Sequence, residues 1–107
     1  MGSVLDALAA IRRLYRAGNG QSAVQQCQQL IQQVRDSEPN AAEAAEVFLF
    51  AGIMAQQMGQ VEQAIAHYRE GIQHNPAEPK LYNNLGTALK AIGQYAEAET
   101  AYHAALD

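Results

Sequence analysis

Cysteine is almost absent from this 107-residue chain: Cys27 stands alone. A single thiol excludes an internal disulfide and any multi-cysteine metal site, and it fits a reducing compartment. Positive charge is scarce too. Lysine and arginine number 7 against 11 aspartates and glutamates, a net charge of −4, which is a poor match for nucleic acid. No apolar run approaches the roughly 20 residues of a membrane span. Met1 to Ala10 carries Asp6 and no basic stretch ahead of an apolar one, so no secretory signal is read there. Strand patterning is missing, because Val, Ile and Thr are sparse and no useful segment alternates apolar with polar residues. The 49% hydrophobic content is too high for a disordered chain, and the length suits one small domain. The expectation is a soluble, cytoplasmic domain.

Alanine, glutamine, leucine and glutamate dominate, and all are good helix formers. Pro39, Pro76 and Pro79, with the glycine turns at 18–20, 59–60 and 93–94, divide the chain into six predicted helices. These span 4–17, 21–35, 42–58, 61–74, 79–92 and 95–106. A period of 34 residues runs through the second half. It links Phe48 to Tyr82, Gly52 to Gly86, Gly59 to Gly93, Gln60 to Gln94, Ala64 to Ala98, Tyr68 to Tyr102 and Ile72 to Leu106. Two helices per 34 residues is a repeat-protein signature.

These residues resemble the tetratricopeptide repeat family. Residues 45–78 supply Phe48, Ala51-Gly52, Ala55, Gly59, Ala64, Tyr68, Gly71 and Pro76 at the family's positions. Residues 79–107 supply Tyr82, Leu85-Gly86, Leu89, Gly93, Tyr95, Ala98, Tyr102 and Ala105. The first unit, 4–44, is divergent. Gly18 and Ala23 match Gly59 and Ala64 at an offset of 41, seven residues beyond the period. The surplus falls within 32–43 and lengthens either the second helix by two turns or the linker around Pro39. Ile11 stands where the family has a small residue, so the packing of the first helix pair should be looser or shifted. The resemblance implies a single all-α domain, a right-handed superhelical stack of three helix pairs (an α-solenoid).

The signature residues also make physical sense. Closely crossing helices need small residues at the contact, here Gly52 with Ala64 and Gly86 with Ala98. Phe48, Tyr68, Tyr82 and Tyr102 fill the space between helices, and no unit buries its apolar face alone.

Chemistry-bearing motifs are few. His67, His74 and His103 have no metal-ligand spacing and read as helix-surface residues. Cys27 occupies the position of Tyr68 and Tyr102 and reads as a packing residue. No cofactor, metal or catalytic residue is expected. Arg12, Arg13 and Arg16 form the one local concentration of charge, read first as a solvated helix face and alternatively as a phosphate or acidic-peptide contact. Gln25 to Gln33 reads as the polar face of an amphipathic helix.

The stretch Val47 to Ala55 has no polar residue. A helix apolar all round must be covered on every side or present a sticky surface. Phe48, Ala51, Gly52 and Ala55 serve repeat packing, which leaves Leu49, Phe50 and Ile53. The resemblance places these three in the concave groove that binds peptides in tetratricopeptide proteins, with Leu8, Ala9 and Arg12 equivalent on one side and Asn83, Asn84 and Thr87 on the other. Arg12, Arg16, Lys80 and Lys90 then lie toward the groove's edges. The competing reading packs part of this stretch against residues near 36–43. The family's clamp for chaperone C-terminal carboxylates is missing. Lys80 matches one of its positions, but Leu8, Phe50 and Asn84 replace its lysine, asparagine and arginine.

The resemblance therefore implies a non-enzymatic protein–protein interaction module that binds a peptide or helix. The other reading is the repeat segment of a larger enzyme, such as a protein glycosyltransferase, because Asn83-Asn84 resembles that class's groove asparagines. The family's arrays close with an extra polar-faced helix, and residues 95–107 leave no room for one. Ala98, Ala101, Tyr102, Ala105 and Leu106 are then expected to face water and to support self-association as a homodimer, chiefly through Ala98, Tyr102 and Leu106.

Overall fold

The computed structural model describes residues 3–37 and 40–106. Six α-helices follow one another: α1 Val4–Arg16, α2 Gly20–Asp36, α3 Ala41–Gln57, α4 Val61–His74, α5 Pro79–Ala91 and α6 Tyr95–Leu106. Their ends fall within one residue of the ends predicted from the breakers. Each odd-numbered helix pairs with the next, and each new pair packs on the one before it.

Local chemistry fixes the ends. Ser3 and Asp6 form a reciprocal capping box on α1, the Ser3 hydroxyl accepting from the Asp6 amide at 3.1 Å and the Asp6 carboxylate from the Ser3 amide at 3.2 Å. Asn40 caps α3 by accepting from the amides of Ala42 and Glu43. Pro79 opens α5, where its missing N–H costs nothing, behind the capping carboxylate of Glu78. The three tight turns are copies of one another. Gly18, Gly59 and Gly93 have φ of 89°, 77° and 81°, and the residue after each returns its amide to Leu14, Ala55 or Leu89 at 2.9, 2.8 and 2.9 Å. This is the Schellman closure, which needs a left-handed residue that glycine adopts without strain.

The seven surplus residues of the first unit go to neither place expected for them alone. α2 has 17 residues where α4 has 14, and α3 has 17 where α5 has 13. Three residues thus lengthen α2 and four lengthen α3 at its start, while α2–α3 and α4–α5 are joined by equally short connections. Pro39 itself lies outside the described residues. Helix extension wins because it buries Val34 and Ala44 completely, which a longer polar linker would not do.

The core is divided in two. One cluster joins α1 and α2 to Ala44, Val47, Phe48, Ala51 and Met54 of α3. The other joins α4, α5 and α6 to Ala45, Leu49 and Ala55 of the same helix. The all-apolar character of α3 follows, since it is a wall between two cores. In the second and third pairs, a tyrosine lies across a glycine: a Cβ on Gly52 would overlap the Tyr68 ring, and one on Gly86 would sit 2.7 Å from Tyr102. In the first pair the sizes are exchanged. Ile11 on α1 and Cys27 on α2 are each 2% exposed in one cluster, and α1 and α2 touch over a smaller contact than the other pairs.

Gly52→Ala should lower unfolding stability by about 1–3 kcal/mol, because the fully buried Tyr68 has nowhere to move. Gly20→Ala, with nothing within 4 Å of the new methyl, should not lower it. Urea denaturation followed by circular dichroism measures both, and equal losses would show that the close helix approach is not what Gly52 provides.

Candidate functional site

The first helices of the three pairs share one face of the stack, and the side chains of α1 and α3 meet across it. From α1, the Arg12 guanidinium lies 5.4 Å from the centre of the Phe50 ring on α3 and donates to the Glu46 carboxylate at 3.1 Å. Tyr15 meets the same ring edge-on at 5.9 Å, and its hydroxyl donates to Gln57 Oε1 at 2.6 Å. Arg12, Tyr15 and Phe50 are thus held as one stack of rings and charge. On α5, Asn83 and Thr87 are exposed and Asn84 half-buried. The Thr87 hydroxyl lies 3.1 Å from that of Tyr102. Lys80, Lys90 and Arg16 are exposed and pair with no carboxylate among the described residues.

The structure divides the apolar trio named from the sequence. Phe50 and Ile53 are half-buried at this face. Leu49 is not at the face at all: it is 7% exposed and belongs to the second core cluster. Position i+1 from Phe48 turns it toward α5 and α4, so Leu49 is withdrawn as a contact residue. Sequence reasoning did not assign Glu46, Tyr15 or Gln57 to this face. The signal was available, since the 34-residue spacing puts Glu46 at the position of Lys80.

The expected self-association surface contracts as well. Ala98 is 2% exposed and Ala101 is buried, because their small side chains let α6 lie close on α5. Tyr102 is occupied over Gly86. Of Ala98, Tyr102 and Leu106, only Leu106 stands out in water, at 84% exposure. Tyr102, Ala104 and Ala105 beside it are half-buried.

The opposite face belongs to α2, α4 and α6. Arg35 on α2 makes a two-pronged bond to Glu70 on α4 at 2.8 and 2.7 Å, and Arg69 on α4 reaches Glu97 on α6 at 3.1 Å. Charge is divided between the two helix sets. α1, α3 and α5 carry Arg12, Arg13, Arg16, Lys80 and Lys90 against Asp6, Glu43 and Glu46. α2, α4 and α6 carry Arg35 and Arg69 against Asp36, Glu62, Glu70, Glu97 and Glu99. The exposed run of glutamines on α2 forms its polar side, as the sequence implied.

Two histidines are less superficial than their sequence context suggested. His74 stacks on Phe48 with ring centres 5.4 Å apart, and His67 lies tilted at 6.5 Å. Seven residues is two turns of α4, so both rings come to the same α3 phenylalanine. Burial holds the His67 pKa below its usual value, and the bond from Arg35 holds that of Glu70 down. Burial pushes the Cys27 thiol up to about 11, so it stays protonated and packs as an apolar side chain. Among the described residues no cluster of three or more potential ligands could hold a metal, and no helix is long and apolar enough to cross a membrane.

Three stacked helical pairs, a tyrosine-on-glycine contact in two of them, copied glycine turns and a shared first-helix face define a helical-repeat scaffold. A family profile described as TPR repeat matches residues 56–93, and one described as tetratricopeptide repeat matches residues 80–107. Residues 56–107 are thus tetratricopeptide repeats, and the chain is a helical-repeat module of that kind. It is 31% identical over 93 residues to the probable biofilm formation methyltransferase WspC of Pseudomonas putida (strain KT2440), a match covering 87% of this chain and 20% of that protein. The crystal structure of MamA has the same fold, with a TM-score of 0.82 at 21% identity over 97% of this chain and 57% of that one. The fold is also that of PcrH, crystallised in complex with the chaperone binding region of PopB, with a TM-score of 0.79 at 24% identity over 95% of this chain and 77% of that one.

The histidine site gives a pH prediction. With its native pKa below the usual 6.5, His67 is protonated more readily in the unfolded chain, so stability falls as pH drops below that of the free imidazole. Glu70 contributes stability above the ordinary carboxylate range, and this is lost as pH falls through its lowered native pKa. Urea midpoints should therefore decline between pH 7.5 and 5.5, and His67→Gln should flatten that decline. An unchanged slope in the variant would remove His67 from the account.

Proposed function

We propose that the face of α1, α3 and α5, the concave one in this family, holds a peptide or helix from a protein partner. The observation that carries this is the presentation of Phe50 and Ile53. Both are partly open on α3, at the centre of the face, while the rest of the helix's apolar surface is shared between two cores. Asn83, Asn84 and Thr87 supply hydrogen-bonding groups beside them, and the amides suit the backbone of a bound segment. PcrH, which shares the fold, was crystallised with a region of PopB, and this chain is proposed to work by the same general means.

A second reading has support of its own. This chain matches one fifth of a protein named as a methyltransferase, so these repeats can serve as the recruiting segment of a larger enzyme. That likeness favours a methyltransferase over the glycosyltransferase suggested by Asn83-Asn84. The two readings share one groove and differ in what is attached to it.

Phe50→Ala tests the groove. The parent chain and the variant, each immobilised, should differ in the partner they retain, with binding to the variant weaker by about tenfold, as for loss of a central aromatic anchor. Helical circular dichroism should be nearly the same for both. Loss of the helical signal would show that Phe50 is core, and equal retention by both would remove the groove assignment.

A further inference from the structure

Some cations of this acidic chain are tied across helices and others are left open, and on the first-helix face the tied one is Arg12, on Glu46. Arg35 and Arg69 are tied to carboxylates that join α2 to α4 and α4 to α6. Arg16, Lys80 and Lys90 on the first-helix face have no such partner among the described residues. Arg16 and Lys90 lie in the last turns of their helices, where the macrodipole favours a cation. Lys80 does not. It is the second residue of α5, at the positive end of the dipole, where a cation is mildly destabilising. It gains nothing from the dipole there, and its side chain is open to solvent.

Glu46 indicates the ligand chemistry. Its carboxylate sits on Arg12 at 3.1 Å, beside the Phe50 ring, and both side chains keep about a third of their surface in water (36% and 35%). The chain thus already seats one carboxylate at the centre of the face, in a pair exposed enough to exchange. Lys80 and Lys90 are ten residues apart on one helix, so the cations flank the centre at about 15 Å from each other along α5.

We propose that the occupant of this face is an acidic segment of a protein partner, with carboxylates on both sides of an apolar side chain. The apolar group lies on Phe50 and Ile53. The carboxylates meet Lys80 and Lys90 on α5 and Arg16 on α1, and one replaces Glu46 on Arg12. This rests on the groove reading above and adds the partner's chemistry to it. The net charge of −4 and the carboxylate in the middle of the face oppose a polyphosphate ligand, which needs continuous positive charge. A peptide with separated carboxylates meets no such obstacle.

The probe is a random dodecapeptide phage library selected on the purified chain, followed by titration of the enriched sequence as a fluorescein-labelled peptide. Enriched sequences should carry Asp or Glu on both sides of an apolar residue, and affinity should fall about tenfold between 50 and 300 mM NaCl. Lys80→Gln should weaken binding about threefold or more without lowering the melting temperature, because it relieves the helix dipole. Glu46→Gln should tighten binding by freeing Arg12. Arg69→Gln, on the opposite face, should leave it unchanged.

Peptides that depend on Phe50 but show no acidic bias, or whose affinity ignores salt, would overturn this inference and leave the groove standing. Selection of no Phe50-dependent peptide would remove the groove as well. Salt-sensitive self-association of the chain, abolished by Lys80→Gln, would make the occupant the acidic second-helix face of another copy and contradict the proposal.

Discussion

Everything in this molecule is arranged around α3, a helix buried from both sides. Ala44, Val47, Phe48, Ala51 and Met54 face the core shared with α1 and α2, while Ala45, Leu49 and Ala55 face the one shared with α4, α5 and α6. No small helix pair can bury its own apolar surface, and stacking supplies what is missing. α3 joins the divergent first pair to the two regular ones, so both cores depend on it. What it leaves open is narrow: an edge on which Phe50 and Ile53 are partly exposed. The proposed binding face is a by-product of packing, in that Phe50 and Ile53 lie at the edges of the two cores rather than inside either.

The same logic explains how an irregular first unit joins a regular array. Tyr68 and Tyr102 each lie over a glycine on the partner helix, whereas Ile11 and Cys27 divide the volume the other way. Core volume is conserved more strictly than residue identity, and exchanging size across a contact is one way to conserve it. The longer α2 and α3 then carry Arg35 and Glu43 past the ends of the regular units, and Arg35 is anchored on Glu70. Exposed ion pairs of this kind contribute modestly to stability. Their larger consequence is on charge: carboxylates neutralise Arg35 and Arg69 of the second helices and Arg12 of α1, and leave Arg16, Lys80 and Lys90 to solvent.

Much of this was legible in the chain itself. Glycine and proline punctuation placed all six helices, because a left-handed turn residue and a missing N–H act locally and need no tertiary help. The 34-residue echo of Gly52, Tyr68 and Tyr82 gave the stacking. The site was only partly legible. An unbroken apolar run has no periodicity from which to separate its faces, so Leu49 was indistinguishable from Phe50 until α4 and α5 were in place. Ala98 was misjudged for a related reason: a small residue at a close contact looks the same in sequence as one left bare at the end of an array. The repeat spacing marks Glu46 as a face position, but its pairing with Arg12 depends on how the divergent first helix packs on α3.

The central claim is that the face of α1, α3 and α5 is where a partner is held, and the most direct measurement is residue by residue. Backbone amide resonances of the labelled chain, followed by NMR while a bound peptide is added, should shift along one strip. The account predicts changes at Arg12, Glu46, Phe50, Ile53, Asn84 and Thr87, with α2 and the outer side of α6 little affected. Shifts concentrated instead on α2, α4 and α6, with Phe50 and Ile53 unmoved, would contradict it.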